Sequence, residues 1–201
     1  MIGIIDYGMG NLRSVENALC KLGREYIITS DKNVLDQCER LILPGVGAFG
    51  DCAENLKKAG LFDWIRESAQ KGKPLLGICL GMQMLFEDSE EKGMHEGLCL
   101  LKGHVRFMED TSVSIPEIGW NELVFAKKLP IDLSPRPYVY YVHSYYAQDV
   151  DPEDLVAYSE YGNMKITGIV KKGNIMGCQF HPEKSGRDGL KILQHFTEAD
   201  L

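Results

Sequence analysis

One short segment restricts what this chain can fold into more than any other: Gly77-Ile78-Cys79-Leu80-Gly81, directly after the apolar run Pro74-Leu75-Leu76. Glycines two positions before and after a cysteine have the form of a nucleophile elbow, a sharp strand-to-helix turn, with Cys in place of Ser. Such a turn lifts the sulfur clear of the sheet edge and places it at a helix N-terminus, where backbone dipoles favour the thiolate. A buried cysteine in an ordinary turn fits the same five residues.

A second segment, near the far end of the chain, favours the catalytic interpretation. His181 and Glu183 are separated by Pro182, which restricts the local backbone to extended shapes. Residues two apart in an extended segment point to the same side, so the carboxylate can orient the imidazole. A His-x-Glu pair alone is most often a surface feature. Together with Cys79, it predicts a triad of nucleophile, base and orienting carboxylate.

Composition is typical of a soluble globular protein. The 201 residues, 44% hydrophobic and 25% charged, suffice for one domain with a sizeable core, and we expect a single domain over residues 1–201. The net charge of −7, without a Lys/Arg block, argues against a nucleic-acid partner. No apolar run approaches the roughly 18 residues that cross a bilayer, and residues 1–6 lack the features of a signal peptide. We therefore expect no membrane association and a cytoplasmic location.

The cysteines give no sign of a metal site or a disulfide framework. All six are dispersed along the chain, none forms a Cys-x-x-Cys pair, and no histidines lie at zinc spacing. Dispersed thiols fit a reducing cytosol. We expect neither a metal nor a cofactor.

Alternating strand-like and helix-like segments in the first half predict the fold class. Short apolar strands joined by helices indicate a parallel sheet covered on both faces, and the second half is richer in strand signals. The prediction is an α/β fold: an open, mostly parallel twisted sheet with helices on both faces and antiparallel additions in the C-terminal half. Strands are expected at 2–5, 25–29, 40–43, 74–78, 105–108, 120–125, 138–142, 165–171 and 174–180, and helices at 12–22, 51–71 (broken near 60), 80–87 and 189–196.

Further candidate site residues follow from position. Ligands of open α/β sheets bind beyond the carboxyl ends of the strands, where the loop Pro44-Gly45-Val46-Gly47 would lie; one of its N–H groups would complete an oxyanion hole with that of Leu80. Gln83 is one helical turn after Cys79, and Ser144 and Tyr145 end an aromatic-rich strand. These three residues would present polar groups to a small substrate, although a solvated amide explains Gln83 equally well and a strand edge explains Ser144 and Tyr145. For the Pro44–Gly47 loop, an ordinary strand-to-helix turn is the better explanation unless the elbow is present.

The segment Gly77–Gln83, together with His181-Pro182-Glu183, resembles the class I (triad) glutamine amidotransferases. Finer motifs resemble the branch of that family that serves histidine biosynthesis, and they span nearly the whole chain. Pro-Gly-Val-Gly is distinctive, because most class I relatives resemble Pro-Gly-Gly at that point. The finer motifs are Asp6-Tyr7-Gly8-Met9-Gly10-Asn11-Leu12, Pro44-Gly45-Val46-Gly47-Ala48-Phe49, Gly119-Trp120-Asn121, Val142-His143-Ser144-Tyr145 and Gln179-Phe180-His181-Pro182-Glu183-Lys184-Ser185-Gly186.

The resemblance implies a role for each candidate residue. Cys79 attacks the side-chain amide of glutamine, His181 shuttles the proton, and Glu183 orients the imidazole. Water then hydrolyses the glutamyl thioester and releases glutamate. The remaining implied roles are the oxyanion hole (backbone of Leu80, Val46 and Gly47), glutamine binding (Gln83, Ser144 and Tyr145) and contact with a partner (Asn11, Trp120 and Lys184).

The resemblance also implies that ammonia crosses a protected channel into a (β/α)8 cyclase subunit, which makes imidazole glycerol phosphate and aminoimidazole carboxamide ribotide. One departure stands out: Glu117 occupies a position where the family usually resembles His, which puts a carboxylate beside the expected partner surface. Two alternatives stay open. An autonomous Cys hydrolase would need no partner, although Leu80 does not match the His that follows the cysteine of small stress-response proteins. A non-catalytic regulatory subunit would not need the intact triad.

Overall fold

The computed structural model describes residues 1–198, which form an α/β fold. Short strands and helices alternate through the first half, and strands dominate the second. In chain order the elements are β1 (Ile2–Ile5), α1 (Leu12–Lys21), β2 (Tyr26–Thr29), α2 (Lys32–Asp36), β3 (Arg40–Gly45), α3 (Phe49–Lys58), α4 (Leu61–Gln70), β4 (Leu75–Cys79), α5 (Leu80–Gln83), β5 (Asp88–Ser89), β6 (His95–Glu96), β7 (His104–Phe107), β8 (Glu117–Glu122), β9 (Val124–Phe125), β10 (Tyr138–His143), β11 (Tyr145–Gln148), β12 (Leu155–Tyr161), β13 (Met164–Lys172), β14 (Ile175–Cys178), a 3-10 helix (Pro182–Lys184) and α6 (Gly186–Glu198).

The main sheet has eight strands in the order β2-β1-β3-β4-β14-β13-β12-β9. The strands from β2 to β14 run parallel, and β13, β12 and β9 extend the sheet in antiparallel fashion. The predicted fold class is therefore confirmed, including the antiparallel additions in the C-terminal half. Glycine at 173, with φ of +55°, makes the predicted turn between β13 and β14.

Both faces of the sheet are covered because its central strands are apolar on both sides. Along β3, Leu41 and Leu43 point into one core with α3 and α4, while Ile42 points into the other with α1 and α6. The period of two along each strand thus divides one apolar run between two cores.

Two smaller sheets flank the carboxyl edge of the main sheet. Strands β8 and β10 form an antiparallel ribbon, and β11, β7, β5 and β6 form a sheet of four strands. Residue 144 alone separates β10 from β11. The chain therefore passes from one small sheet to the other at the end of the main sheet where the cysteine lies.

The helix expected over 80–87 ends earlier than predicted, at Gln83. The carbonyl groups of Met84, Leu85 and Phe86 accept hydrogen bonds from N–H groups of residues 98–101 instead of from the next helical turn. A distant loop thus takes the acceptors that would have extended the helix. Strand β12 was not predicted, and register shifts near its start disturb its alternation.

Candidate active site

The turn at Cys79 has the geometry that the glycines predict. Cys79 has φ +54° and ψ −111°, a strained conformation for a residue with a side chain. A Cβ atom at Gly77 would lie 2.5 Å from the carbonyl oxygen of Gly81, and one at Gly81 would lie 1.8 Å from that of Leu43. The elbow therefore packs too tightly for any side chain at these two positions.

Sheet topology brings the two ends of the sequence motif together. Strands β4 and β14 are parallel neighbours, with Ile78 opposite Cys178. Both strands end at the same edge of the sheet, β4 at Cys79 and β14 at Cys178, three residues before His181. Cys79 and His181 are both buried, at 7% and 4% exposed.

The imidazole of His181 is fixed from both sides. Its Nδ1 lies 2.8 Å from Oε1 of Glu183, whose side chain is 1% exposed. Its backbone N–H donates to the carbonyl of Tyr140 at 2.9 Å, and its carbonyl accepts from the hydroxyl of Ser185 at 2.6 Å. With Nδ1 engaged by the carboxylate, the opposite side of the ring is left to face Cys79.

The surroundings of His181 raise its affinity for a proton. Burial by itself lowers the pKa of the imidazole, but hydrogen bonds with Cys79 and Glu183 outweigh burial and raise the pKa to about 10. A protonated imidazole thus lies beside the sulfur of Cys79.

A cavity of about 300 Å³ opens in front of the sulfur. It is large enough for one amino acid and offers charged, amide and backbone groups on a partly apolar wall. Its lining consists of Val46, Gly47, Cys79, Leu80, Gln83, Glu91, Val142, His143, Ser144, Tyr145, His181 and Lys184.

Comparison with known proteins gives the family. The family described as Glutamine amidotransferase class-I matches residues 3–199. The chain belongs to that family. Two relatives are both named imidazole glycerol phosphate synthase subunit HisH. The one from Sulfurimonas denitrificans is 48% identical over 204 residues, covering 98% of each chain; the one from Bacillus cereus is 52% identical over 198 residues, covering 98% of this chain and 93% of the relative.

Solved structures of this fold agree with the family. A crystal structure of a glutamine amidotransferase superposes with a TM-score of 0.77 at 20% identity, covering 98% of this chain and 97% of the other. The structure of PurLQS from Thermotoga maritima superposes with a TM-score of 0.71 at 21% identity, covering 98% and 96%. These likenesses concern the fold of a class-I glutamine amidotransferase.

The predicted glutamine-binding residues of this amidotransferase line the cavity together. Gln83 is 4% exposed, and its Nε2 donates to the carbonyl of Tyr145 at 2.9 Å and to Oε1 of Gln179 at 3.1 Å. Both N–H bonds are thus used within the protein. The acceptor Oε1 of Gln83 is the atom left for a ligand.

The predicted oxyanion residues also line the cavity. Leu80, Val46 and Gly47 all line it, and Gly47 has φ +101°, a conformation that suits glycine. Beyond this loop, the N–H of Phe49 at the start of α3 donates to Oε2 of Glu91 at 2.8 Å. A carboxylate of the cavity wall thereby holds the helix that follows the oxyanion loop.

One of the three predicted partner residues belongs to the cavity wall, and the other two lie outside it. Lys184 lines the cavity itself. Trp120 is 55% exposed, with its ring edge close to Gly186. Asn11 begins α1 and accepts from the N–H of Ser14 at 3.3 Å, and α1 packs against the 3-10 helix.

The expectation for Glu117 was wrong in one respect. Its carboxylate does not lie at the surface but is buried, 2% exposed, and faces His143. The strand alternates, so that Ile118 and Trp120 point outward and Glu117 points inward.

Sequence analysis missed three residues of the site. Gln179 is fully buried, and its Nε2 lies 3.9 Å from Sγ of Cys79. Glu91 and His143 line the cavity. Gln179 and His143 both had a local signal, since they lie in the motifs that contain His181 and Ser144; Glu91 comes from a loop whose position depends on the four-stranded sheet.

Residues 1–198 contain neither a metal-binding cluster nor a membrane-spanning helix. Within them, no group of His, Cys, Asp and Glu side chains is arranged to hold a metal ion. No helix in the same residues is long and apolar enough to cross a membrane.

Proposed function

We propose that this chain, as one glutamine amidotransferase domain over residues 1–201, hydrolyses glutamine in the cytoplasm and passes the ammonia to a (β/α)8 cyclase subunit. The pair would make imidazole glycerol phosphate and aminoimidazole carboxamide ribotide in histidine biosynthesis, in line with the names of the relatives. One observation carries the proposal: a buried Cys79, backed by His181 and Glu183, faces a cavity the size of one amino acid.

In the first step, Sγ of Cys79 attacks the carboxamide carbon of glutamine. The charge that develops on the oxygen is stabilised by the N–H of Leu80 and by an N–H of the loop at Val46 and Gly47. His181 gives its proton to the departing nitrogen, so that ammonia leaves and a glutamyl thioester remains.

In the second step, water hydrolyses the thioester. His181, now neutral, takes a proton from the water, which attacks the same carbon; the C–S bond breaks and glutamate leaves. With the proton of the water on His181 and the sulfur of Cys79 free again, the starting state is restored. Glu183 stays ionised throughout and keeps the imidazole oriented through the 2.8 Å contact at Nδ1.

Selection of glutamine follows from the polar atoms of the cavity wall. Oε1 of Gln83 accepts from an N–H group of the substrate, because both N–H bonds of Gln83 are already used. The carboxylate of Glu91 offers the negative charge that an α-ammonium group needs. Ser144 and Tyr145 complete the wall at the end of β10.

The outward face of the β8–β10 ribbon supports a docking surface for the cyclase. Ile118, Trp120, Tyr138 and Val142 are all apolar or aromatic and more than a third exposed. They lie side by side on the ribbon, with Ile118 opposite Val142. Clustered exposed apolar side chains mark interaction sites, and this cluster borders the cavity through Val142.

Glutamine hydrolysis without a partner would waste glutamine, so we expect low activity of the isolated chain. The Val46 loop is the element that partner binding would switch, by turning an N–H toward the oxyanion. Val46 itself is 40% exposed at the cavity mouth.

The test is glutamate release from glutamine, measured with and without the cyclase and its nucleotide ligand. We expect activity only when both are present, and the Cys79→Ala variant should lose it while keeping ammonia-dependent synthesis in the complex. Full activity of the isolated chain would favour an autonomous hydrolase. Loss of both activities in Cys79→Ala would make Cys79 structural and contradict the mechanism.

A further inference from the structure

Two titratable side chains that the proposed mechanism does not use are buried together beside the cavity. Glu117 and His143 are each 3% exposed at the side chain, and Oε2 of Glu117 lies 3.1 Å from Nε2 of His143. They face each other at the end of the β8–β10 ribbon. Neither atom has a hydrogen-bond partner in residues 1–198, so their contact is close but is not aligned as a hydrogen bond. A buried charge is strongly unfavourable unless it is paired, so the two groups must satisfy each other.

The contacts of the ring fix the positions of its protons. Nδ1 of His143 lies 3.0 Å from the carbonyl oxygen of Tyr145, which only accepts, so Nδ1 carries a hydrogen. Nε2 faces a carboxylate oxygen of Glu117, and without a proton between them two sets of lone pairs would repel each other out of reach of solvent. A proton therefore lies between the ring and the carboxyl group.

A row of hydrogen bonds leads from this pair to the nucleophile. The carbonyl of Tyr145 that accepts from His143 also accepts from Nε2 of Gln83 at 2.9 Å. The same Nε2 donates to Oε1 of Gln179 at 3.1 Å, and Nε2 of Gln179 faces Sγ of Cys79 at 3.9 Å. Because an amide nitrogen only donates, each amide has its orientation set by its neighbour in the row.

We propose that Glu117 is a positioning residue for glutamine hydrolysis and acts through His143; the inference rests on the proposed function and deepens it. The carboxylate keeps this proton on Nε2 and fixes the ring, and the ring holds the carbonyl of Tyr145. That carbonyl orients Gln83, which offers its oxygen to the substrate, and through it Gln179, which points an N–H at the sulfur. Loss of the negative charge of Glu117 loosens the hold on His143 at one end of this row and on Gln179 at the other.

The variant Glu117→Gln tests this with little change of shape, because Oε1 can still accept from Nδ2 of Asn121, now at 2.8 Å. The matched control is Glu160→Gln, an exposed carboxylate on β12. In the complex with the cyclase we expect Glu117→Gln to raise KM for glutamine and lower kcat/KM about tenfold, the effect of removing one buried charged contact. Ammonia-dependent synthesis should be unchanged, and Glu160→Gln should match the wild type.

A second measurement needs no substrate: ¹⁵N NMR of the histidine rings, with the His143 signals assigned through His143→Gln. We expect both ring nitrogens of His143 to be protonated at neutral pH in the wild type, and only Nδ1 in Glu117→Gln. This readout remains available from the wild type if Glu117→Gln does not fold.

Three results would overturn the inference. The first is a neutral His143 ring in the wild type. The second is an unchanged kcat and KM for glutamine in Glu117→Gln. The third is an equal fall of kcat with glutamine and with ammonia at constant KM, which indicates fewer folded molecules. Wild-type protein that releases no glutamate with the cyclase would instead refute the proposed function, and with it any role of Glu117 in that reaction, whatever the NMR shows.

Discussion

At the scale of single residues, the site depends on two unfavourable features that hold each other in place. Cys79 occupies a strained backbone conformation, and His181 keeps a proton in a buried position where burial alone would remove it. The contacts of the imidazole with the sulfur of Cys79 and with Glu183 offset the effect of burial on His181. The chemistry and the local stability therefore rest on the same charges.

This coupling predicts a dependence of stability on pH. The pKa of His181 is raised to about 10 in the folded protein, against about 6.5 in an unfolded chain. A raised pKa stabilises the fold fully below the unfolded value, and the stabilisation is lost as pH rises from about 6.5 through about 10. In urea titrations, the stability difference between wild type and His181→Gln should shrink over this window. A difference that grows toward pH 10 would contradict the assignment.

At the scale of elements, the sequence predicted the features that depend on neighbouring residues. It missed the features that depend on contacts with residues far along the chain. The glycines around Cys79 predicted the elbow because steric limits act within a few residues. The early end of α5 and the position of Glu91 were out of reach, because both depend on backbone partners from the loop and small sheet beyond Phe86. Burial of Glu117 was missed because the partner of β8 lies some twenty residues further on.

The elbow gives a sharp test of packing. Gly81→Ala would place Cβ against the carbonyl of Leu43, and we expect a loss of about 3 kcal/mol in the free energy of unfolding, the upper part of the range for overpacking. Gly23→Asn is the control, since Gly23 has a left-handed φ of +65° with open space around it, and Asn tolerates that conformation. Equal urea midpoints for the two variants would show that the elbow relaxes at no cost.

At the scale of the whole molecule, the main sheet gathers the site at one edge and the β8–β10 ribbon frames its mouth. The predicted fold class held over the whole described chain, since the alternation of apolar strands and helices is a repeated signal. The ribbon adds an apolar outer face to the mouth, so ammonia released in the proposed reaction at Cys79 would emerge beside the surface proposed for the cyclase.

If the cyclase docks on this surface, a substitution there should weaken binding to the cyclase without lowering the stability of the isolated chain. Trp120→Ala should raise the Kd for the cyclase at least about tenfold, as large aromatic side chains dominate interfaces, and leave the melting temperature of the isolated chain unchanged because Trp120 is 55% exposed. Met94→Ala, at a position that is 67% exposed and away from the ribbon, should leave the Kd unaltered. Equal affinities for the two variants would move the interface elsewhere.

The central claim is that Cys79 alone among the six cysteines attacks the carboxamide of glutamine. The most direct measurement is peptide mass spectrometry of the cyclase complex after treatment with a glutamine analogue that carries a diazoketone in place of the carboxamide. We expect a single covalent adduct on Cys79, prevented by excess glutamine and absent from Cys79→Ala. An adduct on another cysteine, or glutamine turnover that persists after treatment, would contradict it.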